Sequence, residues 1–550
     1  MKKWLAIILS VCMLVGLAAC SVGASVEVPS KSDARRAAEK EYDMDFVLDD
    51  QDIAKDGSKA EWVFISEDGT LQVTVSWDAK NPDEFDFKDK ELKSGGSGGE
   101  TAATDDTSDT TTTTTAETAA TTTEDTYYDP DVPTYGYGSK VINLWSFTNE
   151  VPNMVAKYIQ MHPEFGETYT VECTVIATDG GAYQTALDSA LVAGGSSAPD
   201  IYAAEAAFIL KYSQGDMASF AATYKDLGID VDTKAAEAEI APYTIDIGTR
   251  DGEVVALGYQ ATGGAMIYRA SIAEEVFGTS DPSEIEKIIG AGSGNWDKFW
   301  EAAYDLKDYG YSIVSGADDM WNVCEKSATQ AWLDGDTVVI APEREEYLDI
   351  AKKLKDEGLS NDTGSWSEAW YADMADSNVF CFFGPAWLIN YVMIGNCGGS
   401  RAGEGSYGDW RVCTPPVGFF WGGTWILANK DTDQAVGVAT LIEWITLDTS
   451  ETGLQYLWAN DMMGNGAKDT VASNVVMAKS DGTLDFCGGQ NIFPAFIAGN
   501  ANATGKAMTQ YDESINTYFK DAASQYANGE ITRDAAIESF RENVEWAFGL

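Results

Sequence analysis

Trp421-Gly422-Gly423, followed closely by Trp425, is the stretch of this chain best suited to hold a ligand. It closes the run DWRVCTPPVGFFWGGTWILA, residues 409–428. Indole faces accept the apolar C–H face of a pyranose ring, and a glycine backbone can come near enough for its amides to meet the ring hydroxyls. Pro415 and Pro416 fix φ and lack donors, which enforces an extended crossing instead of a helix. The stretch therefore reads as a short strand, a rigid turn and an aromatic loop entering a second buried strand. The competing reading buries both tryptophans in a core.

Further aromatic and acidic residues stand in loop-like settings. Trp321 follows Asp318 and Asp319, and Trp387 follows Gly384-Pro385. Sugar hydroxyls need partners once water is removed, and Asp, Glu, Asn and Gln supply acceptors and bidentate clamps. Glu150 and Glu205 also read as loop acids, against the plainer reading of a solvated surface. Trp296, Trp300, Trp444 and Trp458 fall in amphipathic helical patterns and read as core. Trp366 and Trp370 are one helical turn apart and read as a packed stripe, one of which could line a cleft.

Nucleophilic and metal chemistry are poorly supplied. The single histidine, His162, precedes Pro163 and reads as a helix end, which argues against a His-based triad or a His-rich metal site. Gly403–Gly408 fits G-x-G-x-x-G but leads into a strand, not from a strand into a helix, so it is not a dinucleotide loop. Beyond Cys12 and Cys20, the six cysteines Cys173, Cys324, Cys381, Cys397, Cys413 and Cys487 include no C-x-x-C pair, which disfavours zinc. They read as buried free thiols; one disulfide among Cys381, Cys397 and Cys413 is the alternative. No catalytic residue, metal or cofactor is expected.

The chain has 550 residues, enough for two or three domains, and carries 88 Asp+Glu against 36 Lys+Arg, a net charge of −52. That sign argues against nucleic acid and anionic lipid. With nine arginines, it also argues against phosphate or sulfate ligands. A neutral or cationic ligand suits it better.

Residues 1–19 have a basic start, an apolar run and Leu17-Ala18-Ala19 before Cys20, which matches the lipobox of bacterial lipoprotein signal peptides. By that resemblance Cys20 carries the lipid anchor and the chain sits on the extracellular side of the cell membrane. Residues 20–93 read as a small α+β module, with a helix over 32–42 and a hairpin through 61–77 turning at Asp68-Gly69. Residues 94–138, rich in Gly, Ser and Thr, read as a disordered linker. From 139 to 550 strands alternate with helices: strands at 141–145, 171–176, 198–202, 254–258, 265–268, 338–341 and 379–383, and helices at 153–162, 182–193, 296–308, 347–357, 440–447, 511–527 and 533–548. This alternation predicts a parallel sheet with helices on both faces, and about 410 residues exceed one ordinary core, so two lobes are expected. Ligands of such sheets lie beyond the carboxyl ends of the strands.

The order of several short motifs carries a resemblance. Val141-Ile142-Asn143-Leu144-Trp145, Ala198-Pro199-Asp200-Ile201, Ala265-Met266-Ile267-Tyr268-Arg269, Asn295-Trp296-Asp297-Lys298-Phe299, Phe383-Gly384-Pro385-Ala386-Trp387 and Gly422-Gly423-Thr424-Trp425 occur in sequence behind the lipobox. Together they resemble the extracellular sugar-binding proteins of ABC importers, the large group that includes maltose-binding protein. The resemblance covers roughly 140–550. It implies an α/β, two-lobe periplasmic-binding-protein-like fold of type II, hinged and closing over a sugar without chemistry on it. It places Asn149, Glu150, Ala204 and Glu205 at the cleft, with Gln260 and Thr262 near the hinge. Asp318, Asp319 and Trp321 take the position of an acid-plus-aromatic pair, and Trp387 that of a stacking tryptophan. Maltose-binding protein has a stacking tryptophan near Ala204 and an acid near Thr262; this chain has neither, so its ligand is not carried over.

The sequence thus reads as a monomeric, lipid-anchored receptor that captures a carbohydrate, in particular an oligosaccharide, and delivers it to membrane permease subunits. Its expected ligand contacts are Asn149, Glu150, Glu205, Gln260, Thr262, Asp318, Asp319, Trp321, Trp387, Trp421, Gly422 and Gly423. A surface glycoside hydrolase and a peptide- or polyamine-binding protein are the alternatives.

Overall fold

The computed structural model describes residues 46–53, 59–66, 71–78, 85–91 and 134–550, apart from 376 and 465–467. The chain divides into two compact units between residues 120 and 121. In the first unit, strands Phe46–Ile53, Lys59–Ser66, Leu71–Asp78 and Phe85–Glu91 form an antiparallel meander. Val73, Val75 and Trp77 are buried while Thr74 and Ser76 are partly exposed, the period-2 pattern of a half-buried strand. The expected signal peptide, Cys20, the helix expected at 32–42 and nearly all of the expected linker lie outside the described residues.

The second unit holds two large sheets and, among its described residues, three two-stranded ones. The first has six strands in the order Ala256–Gly258, Thr424–Ala428, Ile201–Glu205, Lys140–Ser146, Tyr169–Val175, Thr134–Gly136. The strand Thr134–Gly136, within the segment read as linker, closes its edge by pairing with Tyr169–Val175. The second sheet has four strands in the order Ser312–Val314, Val379–Gly384, Ala265–Arg269, Trp410–Cys413. Each large sheet centres one lobe.

Neither sheet is purely parallel. Lys140–Ser146 runs parallel to both of its neighbours, as strand–helix alternation dictates. Thr424–Ala428, however, enters the first sheet from the second lobe and meets Ile201–Glu205 head to tail. Ala265–Arg269, arriving from the first lobe, is antiparallel to both its neighbours. A strand that crosses between lobes enters the new sheet from the opposite end, and no local pattern in the sequence signals this.

Side chains alternate into separate cores. Along Ala265–Arg269, Ala265 and Ile267 join one apolar cluster while Met266 and Tyr268 join another. Along Ile201–Glu205, Ile201 and Ala203 pack on one face and Tyr202 and Ala204 on the other. These two strands are buried on both faces, which explains their continuous apolar runs. Of the residues expected as a strand at 338–341 only Val338 lies in one, the strand Thr337–Val338 of a two-stranded hairpin.

Helix limits follow local chemistry. Thr532 accepts from the Ala535 amide and caps Arg533–Phe548. Asn295 accepts from the Asp297 amide at 3.1 Å, at the start of Asp297–Asp308. His162 ends the helix Glu150–Met161, its ring against Tyr158. The glycine-rich turn 403–408 leads into Trp410–Cys413. All six described cysteines are buried and free.

Candidate functional site

Two of the segments that cross between the lobes, 259–264 and 414–423, are bonded to each other. The Gly264 amide donates to the Phe419 carbonyl at 2.9 Å and the Trp421 amide to the Thr262 carbonyl at 3.0 Å. The Thr262 hydroxyl donates to the Gly422 carbonyl at 2.8 Å. Asn500 joins them, accepting from the Gly263 amide at 3.1 Å. Gly422 and Gly423 have φ of 74° and 113°, left-handed values that disfavour any side chain. A Cβ on Gly422 would also stand 3.3 Å from Trp387 Nε1 and 3.7 Å from Glu205 Oε1. The double glycine therefore lets the crossing chain pass between an indole and a carboxylate.

Beside this corner lies a cleft of about 370 Å³, toward the lower end of the range usual for small-molecule sites, roughly 300–1,000 Å³. The first lobe supplies Glu205, Ala206 and Ala207, and the crossing segment Trp421 and Gly422. The second lobe supplies one face of the helix Ala317–Lys326, one face of the helix Asp512–Ala527, and the loop residues Ser365 and Trp366. On the first helix Asp318, Trp321, Asn322 and Glu325 follow the i, i+3, i+4, i+7 spacing that puts them in one stripe; on the second, Glu513, Asn516, Thr517 and Lys520 do the same.

Indoles form its wall. Trp366 and Trp387 are parallel within 6° at 6.2 Å between ring centres, and Trp421 stands edge-on to both at 5.8 and 4.8 Å. Trp387 Nε1 donates to the Trp421 carbonyl at 3.0 Å, so Trp387 braces Trp421 while its ring lies against the lining residue Trp366. Trp321 is nearly buried, stacked on Phe519 at 5.5 Å, and shows only an edge to the cleft.

The acids differ in role. Asp318 accepts from the Ser365 amide at 3.1 Å and pairs with Lys520 at 2.8 Å. Its neighbour Asp319 turns inward, accepting from the Gly316 amide at 2.9 Å and Trp370 Nε1 at 3.0 Å. Burial pushes Asp319 up to about 7 against those two donors. Glu205 accepts from the Ala207 amide at 2.7 Å. Burial raises its pKa, opposed by that amide and by Lys326.

Asn149, Glu150 and Gln260 gather elsewhere. Asn149 precedes the first turn of Glu150–Met161, and Glu150 accepts from the Tyr259 hydroxyl. Gln260 donates to Asp469 at 2.8 Å, and Asp469 also accepts from the Thr470 amide at 2.7 Å. Burial, with Asp469 nearby, pushes Glu150 up to about 8; burial against its donors pushes Asp469 up to about 6. A carboxyl that binds its proton more tightly folded than unfolded opposes folding increasingly as pH rises from its unfolded pKa to its folded one. Glu150→Gln is therefore expected to raise the unfolding midpoint more at about pH 9 than at about pH 5. Equal shifts in a thermal scan at the two pH values would show that Glu150 is not so perturbed.

Of the expected contacts, Glu205, Asp318, Trp321, Trp421 and Gly422 thus line one cleft, and Gly423 lies immediately beside it. Thr262, fully buried, pins the crossing strand, and Asp319 caps a helix. Asn322, Glu325, Glu513 and Asn516 are not among the expected contacts, and of the pair Trp366 and Trp370, one of which could line a cleft, it is Trp366 that does. Ser367, whose hydroxyl accepts from the Trp370 amide as a helix N-cap, is the sequence signal that could have placed Trp366 outside the helix. Among the described residues no group of three or more His, Cys, Asp or Glu is placed to hold a metal ion.

The sequence family described as bacterial extracellular solute-binding protein matches residues 153–480, more than half of the chain. The chain belongs to this family. Solved structures agree in fold. An extracellular solute-binding protein of family 1 aligns with a TM-score of 0.59 at 19% identity, covering 73% of this chain and 98% of that one. The galacto-N-biose-/lacto-N-biose I-binding protein of the ABC transporter from Bifidobacterium longum, in complex with lacto-N-biose, aligns at 0.54 and 16%, covering 75% and 99%. The sugar-binding protein MalE from Xanthomonas citri aligns at 0.54 and 14%, covering 74% and 99%. No curated protein sequence matches significantly. Among the described residues of this solute-binding protein, no helix is long and apolar enough to cross a membrane.

Proposed function

We propose that this solute-binding protein is the lipid-anchored receptor of an ABC importer and captures a carbohydrate, an oligosaccharide, by closure of its two lobes. The observation that carries the reading is the cleft itself: indole surface from Trp366 and Trp421 beside the carboxylates Glu205 and Asp318 and the amides Asn322 and Asn516. Flat apolar faces next to planar acceptors and donors match a pyranose, which is apolar on its faces and polar at its rim. Sugar-bound structures of similar fold support it, as does the lipobox before Cys20 for the anchor.

The lining comes from both lobes, so a bound sugar gains its full set of contacts only when the lobes are together. It shifts the population toward the closed form by that difference in affinity, and the permease reads the closed form. Asp318 and Asp319, the adjacent acids that a hydrolase would need on either side of one bond, face different ways, and Asp319 is committed to a helix cap. Calorimetry against a panel of neutral mono- and oligosaccharides is expected to give saturable heat and unchanged sugar. Silence across the panel, or cleavage of any member, would overturn the reading.

A further inference from the structure

The charges of the cleft do not balance. Its lining contains four carboxylates, Glu205, Asp318, Glu325 and Glu513, and two ammonium groups, Lys326 and Lys520. Both lysines are already engaged: Lys326 with Glu325 at 2.7 Å and Lys520 with Asp318 at 2.8 Å. Among the described residues, no lysine or arginine lies within ion-pairing distance of Glu205 or Glu513. Glu325, 4% exposed, pairs with Lys326 through Oε2 and keeps its Oε1 without a hydrogen-bond partner, with Arg344 Nη2 3.9 Å from it. A neutral sugar would leave these acceptors with hydroxyl partners alone.

The surroundings suit a cation in a second way. Glu205 Oε1 stands close to the corner that Gly422 makes beside Trp421, with Trp366 edge-on to that indole. An ammonium at this corner would meet a carboxylate on one side and an aromatic ring on the other, the pairing that desolvated cation sites use. The cleft, at about 370 Å³, has room for more than the ammonium alone.

We propose that the ligand is an amine-bearing saccharide, its ammonium held between Glu205 and Glu513 against the Trp421 indole while the remaining ring surface stacks on Trp366. The proposal rests on the saccharide reading above and adds the charge. Two sources share the ammonium chemistry, an amino sugar and a free polyamine, and they separate experimentally.

The test is calorimetry of the purified chain with glucosamine oligosaccharides, the N-acetylated oligosaccharides of the same linkage, and spermidine. The amine-bearing sugars are expected to bind about tenfold or more tighter than their acetylated partners, with the ratio shrinking as salt is added. Glu205→Gln combined with Glu513→Gln, folded as judged by its unfolding midpoint, should bring the ratio toward one. Equal or tighter binding of the acetylated sugars would overturn the charge proposal and leave the saccharide reading standing. Tight binding of spermidine without either sugar would overturn both. Binding of other neutral sugars with no response to the glucosamine series would overturn the charge proposal alone.

Discussion

Arg344→Ala is expected to destabilise the large unit by about 3–5 kcal/mol, the range for removing one member of a buried ionic network. Arg344 is fully buried, with Nη2 3.9 Å from Glu325 Oε1 and 3.7 Å from Asp512 Oδ2. Its guanidinium lies over the Trp332 ring at 4.2 Å, and Nη1 donates to the Gln330 carbonyl at 3.0 Å. Glu325 is on the helix Ala317–Lys326 and Asp512 opens Asp512–Ala527, the two helices whose outer faces line the cleft. Removing the cation leaves the buried Asp512 without an ion-pair partner and the buried Glu325 with Lys326 alone. Burial already pushes Asp512 up to about 6, with Arg344 the main influence holding it down. Without Arg344 it rises further, so the folded variant takes up protons that the wild type does not. The stability deficit should accordingly be largest at neutral pH and shrink toward about pH 5. Urea unfolding at both values measures this. A loss below about 1 kcal/mol at neutral pH would show that the network is relaxed by water or by movement of the two helices.

What the sequence could and could not show follows from how local each feature is. The crossing stretch 409–428 was legible because Pro415, Pro416 and the double glycine act on their own backbone. Buried strands such as Val379–Gly384 were legible as continuous apolar runs. Sheet direction was not, because it depends on which lobe a strand arrives from. Asp318 and Asp319 looked equivalent in sequence, yet neighbours on a helix point about 100° apart, so one faces the cleft and the other the interior. Glu513, Asn516, Thr517 and Lys520 form a polar stripe that any solvated helix could carry; only packing against Ala317–Lys326 turns it into a wall. Trp387, which its place after Gly384-Pro385 marks as a stacking residue, also donates through Nε1 to the Trp421 carbonyl, a partner no local pattern names.

Trp366 brings these strands of argument to one side chain. It is 50% exposed, holds φ at +68°, and lines the cleft with its ring parallel to Trp387. A bulky aromatic in the left-handed region costs on the order of 1–3 kcal/mol, and that strain is retained on a residue whose ring half faces solvent. Packing alone explains such a placement poorly; a surface held ready for a ligand explains it better. Trp366→Gly relieves the backbone while deleting the ring. For a saccharide that binds the cleft, the variant is expected to lose about 2–3 kcal/mol of affinity, roughly 30- to 150-fold, as for an aromatic anchor at a site's centre. Its stability should stay within about 1 kcal/mol of the wild type, because the strain relieved offsets the lost ring contacts and the added freedom of the unfolded chain. The two quantities are read separately, by calorimetry and by denaturant unfolding. A variant that unfolds several kcal/mol more easily yet binds as before would make Trp366 a packing residue and remove it from the site.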